Sequence, residues 1–317
     1  MKDYGLLLVN LGSPAEPTTP AVKKYLRQFL GDRNVVEMPP ALWKPLLNGI
    51  ILPMRSWRSA TFYRDCWLKN SSPLIVNTKN LTTKVQKFLP KWSVKMAMTY
   101  GKPSIGDTLR QMKQECKQII VLSLFPHFTK STTQSIIEQV QAVDPNLPII
   151  DRFADDPRYL TVLSHHIQKS WDNGNYDMLI ISYHGIPVSM VNHGDPYQDE
   201  TERTTIELKK RLNIPEKKVE MAYQSKFGPM PWLKPYLKNR LLQLVQLGKR
   251  NILIVAPSFV TDCLETIEEN SVQNYQTFRE NGGNTLDVVP SLNDDANFAE
   301  FIADLAKERL NWWRKKA

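Results

Sequence analysis

The sequence predicts an α/β protein of two similar Rossmann-like halves, each a four-stranded parallel sheet flanked by helices. Eight short apolar runs alternate with segments of helical periodicity. This alternation is typical of parallel sheets, because parallel neighbours are joined by helical crossovers. The runs also divide into two sets of four, and local sequence is similar between the sets. These observations predict two related halves.

The eight apolar runs are the predicted strands. In chain order they are Tyr4–Asn10, Val94–Met98, Gln118–Phe125, Leu147–Phe153, Asp177–Tyr183, Val219–Tyr223, Asn251–Ala256 and Thr285–Pro290. The fifth run is continuously apolar and is followed by Gly185 and Pro187, which is typical of a strand buried on both faces.

Two pairs of segments carry the similarity between the halves. Pro126–Glu138 resembles Pro257–Glu269, and each follows the third strand of its half. Met98–Ser104 and Tyr223–Pro229 likewise follow the second strands. We therefore predict a first half of residues 1–150 and a second of 151–294, with a C-terminal helix of residues 295–317 packing on the first half. A cleft between two such halves commonly binds a ligand.

Composition indicates an ordinary globular protein, with 42% hydrophobic and 23% charged residues. The N-terminus lacks the features of a signal peptide. The most apolar segment, Leu46–Met54, is far shorter than the ~20 residues of a spanning helix. The three cysteines, at positions 66, 116 and 263, form no C-x-x-C pair. These features predict a cytoplasmic protein.

The chain has 41 Lys and Arg residues and 32 Asp and Glu residues, and the resulting net charge of +9 suits an anionic partner. Three partners fit this charge: nucleic acid, a phospholipid surface, or a small substrate that bears carboxylates. A solvated basic surface explains the charge equally well. Since no nucleic-acid motif is present, nucleic acid is not expected to bind.

Several common activities lack their motifs. The chain contains no G-x-G-x-x-G, and the loop Gly101–Asp107 carries Asp107 where a phosphate-binding lysine would stand. G-x-S-x-G and H-E-x-x-H are also absent. Nucleotide binding and hydrolase chemistry are therefore disfavoured.

His184 is the first candidate site residue. It follows the fifth predicted strand, and ligands of parallel sheets gather at the carboxyl ends of strands. An imidazole there is suited to bind a metal or to accept a proton near neutral pH.

A carboxylate group in the second half provides a partner for this histidine. Glu265 and Glu269 are four residues apart on a predicted helix, and Gln273 continues the same line. Alternatively, Asp262 and Glu265 have the spacing of a capping box with a purely structural role. One imidazole and one carboxylate suit a first-row divalent metal.

Nine segments, in order along nearly the whole chain, resemble the ferrochelatases. They are Leu7–Pro14, Tyr100–Ser104, Leu124–Phe128, Ser131–Ser135, Ser182–Pro187, Gly194–Tyr197, Tyr223–Gly228, Trp232–Tyr236 and Asp262–Thr266. The resemblance, to the bacterial type, implies the chelatase-type fold and insertion of ferrous iron into protoporphyrin IX to form protoheme, the last step of heme biosynthesis. Two alternatives stay open: a chelatase for another metal or tetrapyrrole such as coproporphyrin III, and a porphyrin or heme carrier without turnover.

The resemblance also implies roles for the candidate residues. His184 and Glu265 match the metal and catalytic pair, whereas Glu269 and Gln273 would form a proton path or second site. A π-type turn is expected in this helix. Gln273 stands where relatives carry an acid, which puts the second site in doubt.

The expected porphyrin-binding residues are Ser13, Tyr100, Tyr197, Leu42, Trp43 and Ile51. The last three belong to an apolar segment, residues 38–67, that the resemblance makes a lip over the porphyrin; such residues are also typical of a core. Neighbouring basic residues favour peripheral contact with the inner membrane. The sequence is equally compatible with a monomer and a homodimer.

The chain departs from the family pattern at four positions. Ser189 and Met190 stand where relatives carry Arg-Tyr, and Thr99 and Lys226 stand where arginine is usual. We therefore expect activity to be retained while affinity for a propionate-bearing ring differs. Without a C-terminal cysteine cluster, no iron–sulfur centre is expected, and no cofactor is required beyond the substrate Fe²⁺.

Overall fold

The computed structural model describes residues 1–316. The chain forms two compact units. The first contains Met1–Arg152 together with the segment from Asn293 onward, and the second contains Phe153–Leu292. Each unit holds one four-stranded sheet.

All strand pairs in both sheets are parallel. The first sheet consists of β1 (Lys2–Gly12), β2 (Trp92–Tyr100), β3 (Cys116–Ser123) and β4 (Ile149–Ile150), in the order β2-β1-β3-β4. The second consists of β5 (Met178–His184), β6 (Val219–Gln224), β7 (Asn251–Val255) and β8 (Thr285–Val288), in the order β6-β5-β7-β8. The two sheets therefore share one topology, which confirms the predicted fold class.

Helices flank the first sheet. They are α1 (Thr19–Leu30), α2 (Pro40–Leu46), a π-helical segment Leu47–Ile51, α3 (Leu52–Cys66), α4 (Pro73–Phe88), α5 (Ile105–Glu115), a π-helical segment Lys130–Gln134 and α6 (Ser135–Gln141). The side chain of Ser72 caps α4 by accepting from the amide of Ile75 at 3.4 Å, a contact that typically stabilises a helix by about 1 kcal/mol.

The second unit contains a similar set of helices. It comprises α7 (Pro157–Asp172), α8 (Val188–Asn192), α9 (Tyr197–Arg211), a 3₁₀ turn Glu216–Lys218, α10 (Leu237–Gln246), a π-helical segment Glu265–Asn274 and α11 (Tyr275–Glu280).

The last helix, α12 (Ala296–Lys316), belongs to the first unit. It packs against α4, and an ion pair of 2.8 Å joins Lys84 on α4 to Asp294 just before α12. The position of Ala317, the final residue of the predicted C-terminal helix, lies outside the described residues. Within residues 1–316, no helix combines the length and apolar character needed to cross a bilayer.

The central strands explain why the apolar runs predict this fold. Leu6, Leu7, Leu8 and Val9 of β1 are all fully buried, so both faces of the strand are covered, as in sheets with helices on either side. The predicted strand Leu147–Phe153 is shorter in the structure. Its β4 lies at the edge of the sheet and pairs with β3 only through Ile149 and Ile150.

Candidate functional site

His184 is the last residue of β5 and lies in register with Gln224 of β6. Its Nδ1 is 2.6 Å from the carbonyl oxygen of Gly185. Since a carbonyl only accepts, Nδ1 carries the proton and Nε2 presents its lone pair. The rings of Trp232 and Phe259 flank the imidazole with centroids 6.3 and 6.2 Å away. Nε2 is therefore the atom suited to bind a metal or accept a proton.

Glu269 lies on the π-helical segment Glu265–Asn274, and its carboxylate has several donors. It accepts from the amide of Ser225 at 2.7 Å, from the hydroxyl of the same serine, and from Nε2 of Gln224 at 3.4 Å. Burial raises the pKa of Glu269, and the negative charge of Glu265 adds to the rise. The hydrogen bonds from Ser225 oppose this rise, and so does the charge that His184 carries when it is protonated.

Glu265 begins the same segment and is half-buried. Burial raises the pKa of the Cys263 thiol, and the adjacent Glu265 carboxylate raises it further. The charges of His184 and Glu265 both act on the pKa of Glu269, so the three side chains lie close enough to interact electrostatically. The structure thus brings together three of the four residues that the sequence predicted for metal binding and proton transfer.

The fourth residue, Gln273, contacts Glu268. Its amide donates to the Glu268 carboxylate at 3.4 Å. The cause is the π-helical geometry, which brings residues five apart into contact; Ser271 Oγ likewise donates to the carbonyl of Thr266 at 3.3 Å. The predicted π-type turn is confirmed, and the role of Gln273 in a proton path or second site stays a prediction.

The capping-box alternative is not what the structure shows. The N-cap of the π-helical segment is Leu264, which makes no side-chain cap hydrogen bond. The amide of Cys263 donates to the hydroxyl of Thr266 at 3.0 Å, and Asp262 accepts from the amide of Ser291 at 3.2 Å. Glu265 is therefore not required as a capping residue.

A buried amide network behind the carboxylates was missed by the sequence analysis. Oε1 of Gln224 accepts from Ser182 Oγ at 2.8 Å and from Asn270 Nδ2 at 3.0 Å. Asn270 in turn accepts from Asn274 at 3.1 Å. These contacts orient the Gln224 amide so that its Nε2 faces Glu269. The sequence does contain one signal for this network, because the family-like segment Tyr223–Gly228 includes Gln224.

Three predicted porphyrin-binding side chains are buried and bonded within their own unit. Tyr100 donates to Asp32 at 2.7 Å and Trp43 donates to the carbonyl of Leu30 at 2.6 Å. The hydroxyl of Tyr197 lies 2.7 Å from that of Ser258. They are 2%, 8% and 3% exposed. Each packs its ring in the core and satisfies its polar end there, and contact of these three residues with the porphyrin stays a prediction.

Two of the other predicted porphyrin residues are more exposed. Leu42 is 68% exposed and Ile51 is half-buried. Ser13 is buried, yet its hydroxyl has no hydrogen-bond partner among the described residues, and the same holds for Thr132 and Thr133. A buried hydroxyl without a partner is uncommon. These three hydroxyls, all in the first unit, are suited to a polar group of a ligand.

The departures from the family pattern have structural counterparts. Thr99 is buried and donates to the carbonyl of Asn10 at 3.1 Å, and Met190 is 1% exposed. Lys226 keeps a positive charge and lies 5.0 Å from the ring centroid of Tyr236. Among the positions where relatives carry arginine, Thr99 is therefore a packed neutral side chain, whereas Lys226 keeps the positive charge.

Comparison with known proteins identifies the family. Residues 3–310 match the ferrochelatase family. The chain belongs to the ferrochelatase family. A coproporphyrin III ferrochelatase of Limosilactobacillus reuteri is 67% identical over 309 residues, covering 98% of this chain and 100% of that protein. The protein of the same name in Lactiplantibacillus plantarum is 57% identical, covering 96% of this chain and 95% of its own.

Solved structures show the same fold at low sequence identity. CbiX, the terminal enzyme for biosynthesis of siroheme in denitrifying bacteria, superposes with a TM-score of 0.53 at 12% identity, covering 97% of this chain and 99% of its own. Together with the family match, this confirms the chelatase-type fold and the bacterial ferrochelatase resemblance. As a ferrochelatase, the protein is an enzyme of heme biosynthesis that inserts a metal into a porphyrin.

The predicted metal site remains a pair of residues. Among residues 1–316, no group of three or more His, Cys, Asp and Glu side chains is arranged to hold a metal ion. Iron is a substrate of this reaction, and its binding by His184 and Glu265 stays a prediction.

Proposed function

We propose that this ferrochelatase inserts ferrous iron into coproporphyrin III. The observation that carries this choice is the name shared by the Limosilactobacillus and Lactiplantibacillus relatives, which match over nearly their full lengths. Protoporphyrin IX, the porphyrin that the sequence analysis preferred, is the second candidate. It is favoured less, because a relative from Aliivibrio fischeri named only ferrochelatase is 38% identical.

Charge supports the same choice. Coproporphyrin III carries propionates where protoporphyrin IX carries vinyl groups, so it is the more anionic ring. The chain has a net charge of +9, which raises the local concentration of an anionic substrate. The hydroxyls of Ser13, Thr132 and Thr133 lack partners in the described part of the chain and can donate to substrate carboxylates.

In the proposed mechanism, His184 acts through Nε2. Metal insertion releases two pyrrole protons, and a neutral imidazole fixed by its Nδ1 hydrogen bond to Gly185 can accept one of them. Glu265 provides an oxygen ligand for the incoming dication. Burial raises the pKa of Glu269, which brings this carboxylate closer to the range in which it can take up a proton from its neighbours.

Purified protein tests the proposal under anaerobic conditions. We expect ferrous-dependent loss of porphyrin fluorescence with coproporphyrin III, at a kcat/KM well above that with protoporphyrin IX. His184→Ala should abolish turnover, whereas His165→Ala, on the exposed side of α7, should not. Equal or greater activity with protoporphyrin IX would reverse the substrate assignment. Stoichiometric binding without turnover would favour the carrier alternative.

We also propose that the exposed side of α2 and α3 contacts an anionic phospholipid surface. Leu42, Ile50, Met54 and Trp57 are 68%, 54%, 69% and 60% exposed; we call these four residues the apolar face. The last three are spaced by four and three residues along consecutive helical segments, so they lie on one side.

Charge along this segment supports a lipid partner. Residues 38–64 contain no acidic residue, and Lys44, Arg55 and Arg58 are exposed among the apolar side chains. Apolar side chains combined with basic ones are the composition of a surface that lies on an anionic bilayer.

A further inference from the structure

We propose that Ser225 is a positioning residue that holds the carboxylate of Glu269 in one orientation beside His184. The proposal deepens the function proposed above, because it assigns a supporting residue to the same site. Ser225 follows β6, and 44 residues separate it from its partner on the π-helical segment. The contact therefore ties two separate elements of the second unit together.

Ser225 donates two hydrogen bonds to the one carboxylate. The amide of Ser225 donates to Oε1 of Glu269 at 2.7 Å, and its hydroxyl donates to Oε2. The terminal torsion of a glutamate side chain is broad and weakly restricted. A donor on each oxygen restricts that torsion, since rotation of the carboxylate would break both hydrogen bonds.

The backbone of Ser225 is strained. Apart from glycines, only Ser225 and Asn293 have positive φ among the described residues, and φ of Ser225 is 65°. A non-glycine residue in this region is uncommon and persists only where its surroundings hold it there. In this conformation, the amide and the hydroxyl of Ser225 both reach the same carboxylate.

Gln224, which also donates to Glu269, is itself held in place by hydrogen bonds. Gln224 adds a hydrogen bond of 3.4 Å to Oε2 of Glu269, and its own amide is held by Ser182 and Asn270. Gln224 is also the register partner of His184. Strand pairing and this hydrogen-bond network thus connect the end of the strand that carries His184 to the carboxylate, as required of groups that must keep a precise separation during a reaction.

A double-mutant cycle separates positioning from simple stabilisation. The variants are Ser225→Ala, which removes the hydroxyl, Ser225→Gly, which also relieves the strain but retains the amide donor, Glu269→Gln, and the double variant Ser225→Ala/Glu269→Gln. Ser170→Ala is the control, because it removes a hydroxyl that donates to the backbone carbonyl of His166 at 3.2 Å on α7. The assay measures kcat and KM for iron insertion together with the midpoint of thermal unfolding.

We expect Ser225→Ala and Ser225→Gly each to lower kcat by about 10-fold to 100-fold, as for loss of a hydrogen bond to a charged group. KM for the porphyrin should change little, and the control should retain kcat. In the Glu269→Gln background, Ser225→Ala should cost no more than about a further twofold, because its effect acts through the carboxylate.

Two results would overturn the proposal. One is retention of kcat within about twofold in both Ser225 variants, and the other is multiplication of the two single losses in the double variant. If Ser225→Ala fails to fold, Ser225→Gly provides the same comparison, since glycine accepts positive φ. Full activity of His184→Ala would instead overturn the proposed function itself, so the two failures are distinguishable.

Discussion

His184 and Gln224 are register partners at the carboxyl ends of β5 and β6. This pairing places the candidate metal-binding imidazole beside the residue whose amide reaches Glu269. The carboxyl ends of two neighbouring parallel strands thus supply both the reactive ring and the support for a carboxylate on another element, which is where ligands of open α/β sheets bind.

Glu265→Gln should lower iron insertion at least about 10-fold, with the larger part of the change in KM for ferrous iron. A neutral amide is a much poorer ligand than a carboxylate for a divalent cation. Steady-state kinetics at varied Fe²⁺ measure the effect. Glu280→Gln, at the exposed end of α11, is the control. An unchanged KM for iron in Glu265→Gln would contradict the assigned ligand role.

Glu269→Gln should change the dependence of stability on pH. Burial raises the pKa of Glu269 in the folded protein, so its favourable contribution is full below the unfolded value of about 4.3 and is lost as pH rises through the folded pKa. The glutamine cannot ionise and avoids this loss. Thermal unfolding of both proteins at several pH values should show the variant gaining on the parent from acid to neutral pH. A difference that does not vary with pH would contradict the expectation.

Ser13→Ala should weaken porphyrin binding without weakening the fold. The Ser13 hydroxyl has no hydrogen-bond partner among the described residues, so its removal should change the free energy of unfolding by less than about 0.5 kcal/mol. KM for coproporphyrin III should rise. Ser72→Ala is the matched comparison, because it removes the cap of α4 and should cost about 1 kcal/mol of stability with KM unchanged. If Ser13→Ala leaves KM unchanged, Ser13 does not bind the substrate.

Met54→Ala/Trp57→Ala should reduce binding to vesicles that contain phosphatidylglycerol, while the unfolding midpoint stays close to that of the parent. Both side chains are exposed, so they contribute more to a surface contact than to the core. Sedimentation with anionic and with neutral vesicles measures the effect. Absence of binding by the parent protein, or a concentration-dependent dimer that the double variant abolishes, would assign the apolar face to something other than lipid.

Trp43→Ala is the control for the vesicle experiment, because it should lower stability where the double variant does not. Trp43 is 8% exposed and donates to the carbonyl of Leu30, so its truncation should cost about 3–5 kcal/mol of stability. The two tryptophans lie on the same stretch of helix, and burial alone separates their expected effects.

Local sequence patterns predicted the strands, the two similar halves and the place of His184 at the end of a strand. Apolar runs and the residues that end them are properties of neighbouring positions, and the order of family-like segments follows from the chain alone. The predicted π-type turn also followed from the family resemblance. For these features, each residue and its near neighbours in sequence carry the necessary information.

Only the tertiary structure decided which candidate side chains are exposed and which are buried and hydrogen-bonded inside the protein. Tyr100, Trp43 and Tyr197 are aromatic residues in family-like or apolar segments, yet their polar ends are bonded inside the protein. Ser225 shows the converse, because its role depends on Glu269, 44 residues away. Burial and hydrogen bonding between distant segments arise when strands pair and helices pack, so they cannot be obtained from spacing along the chain.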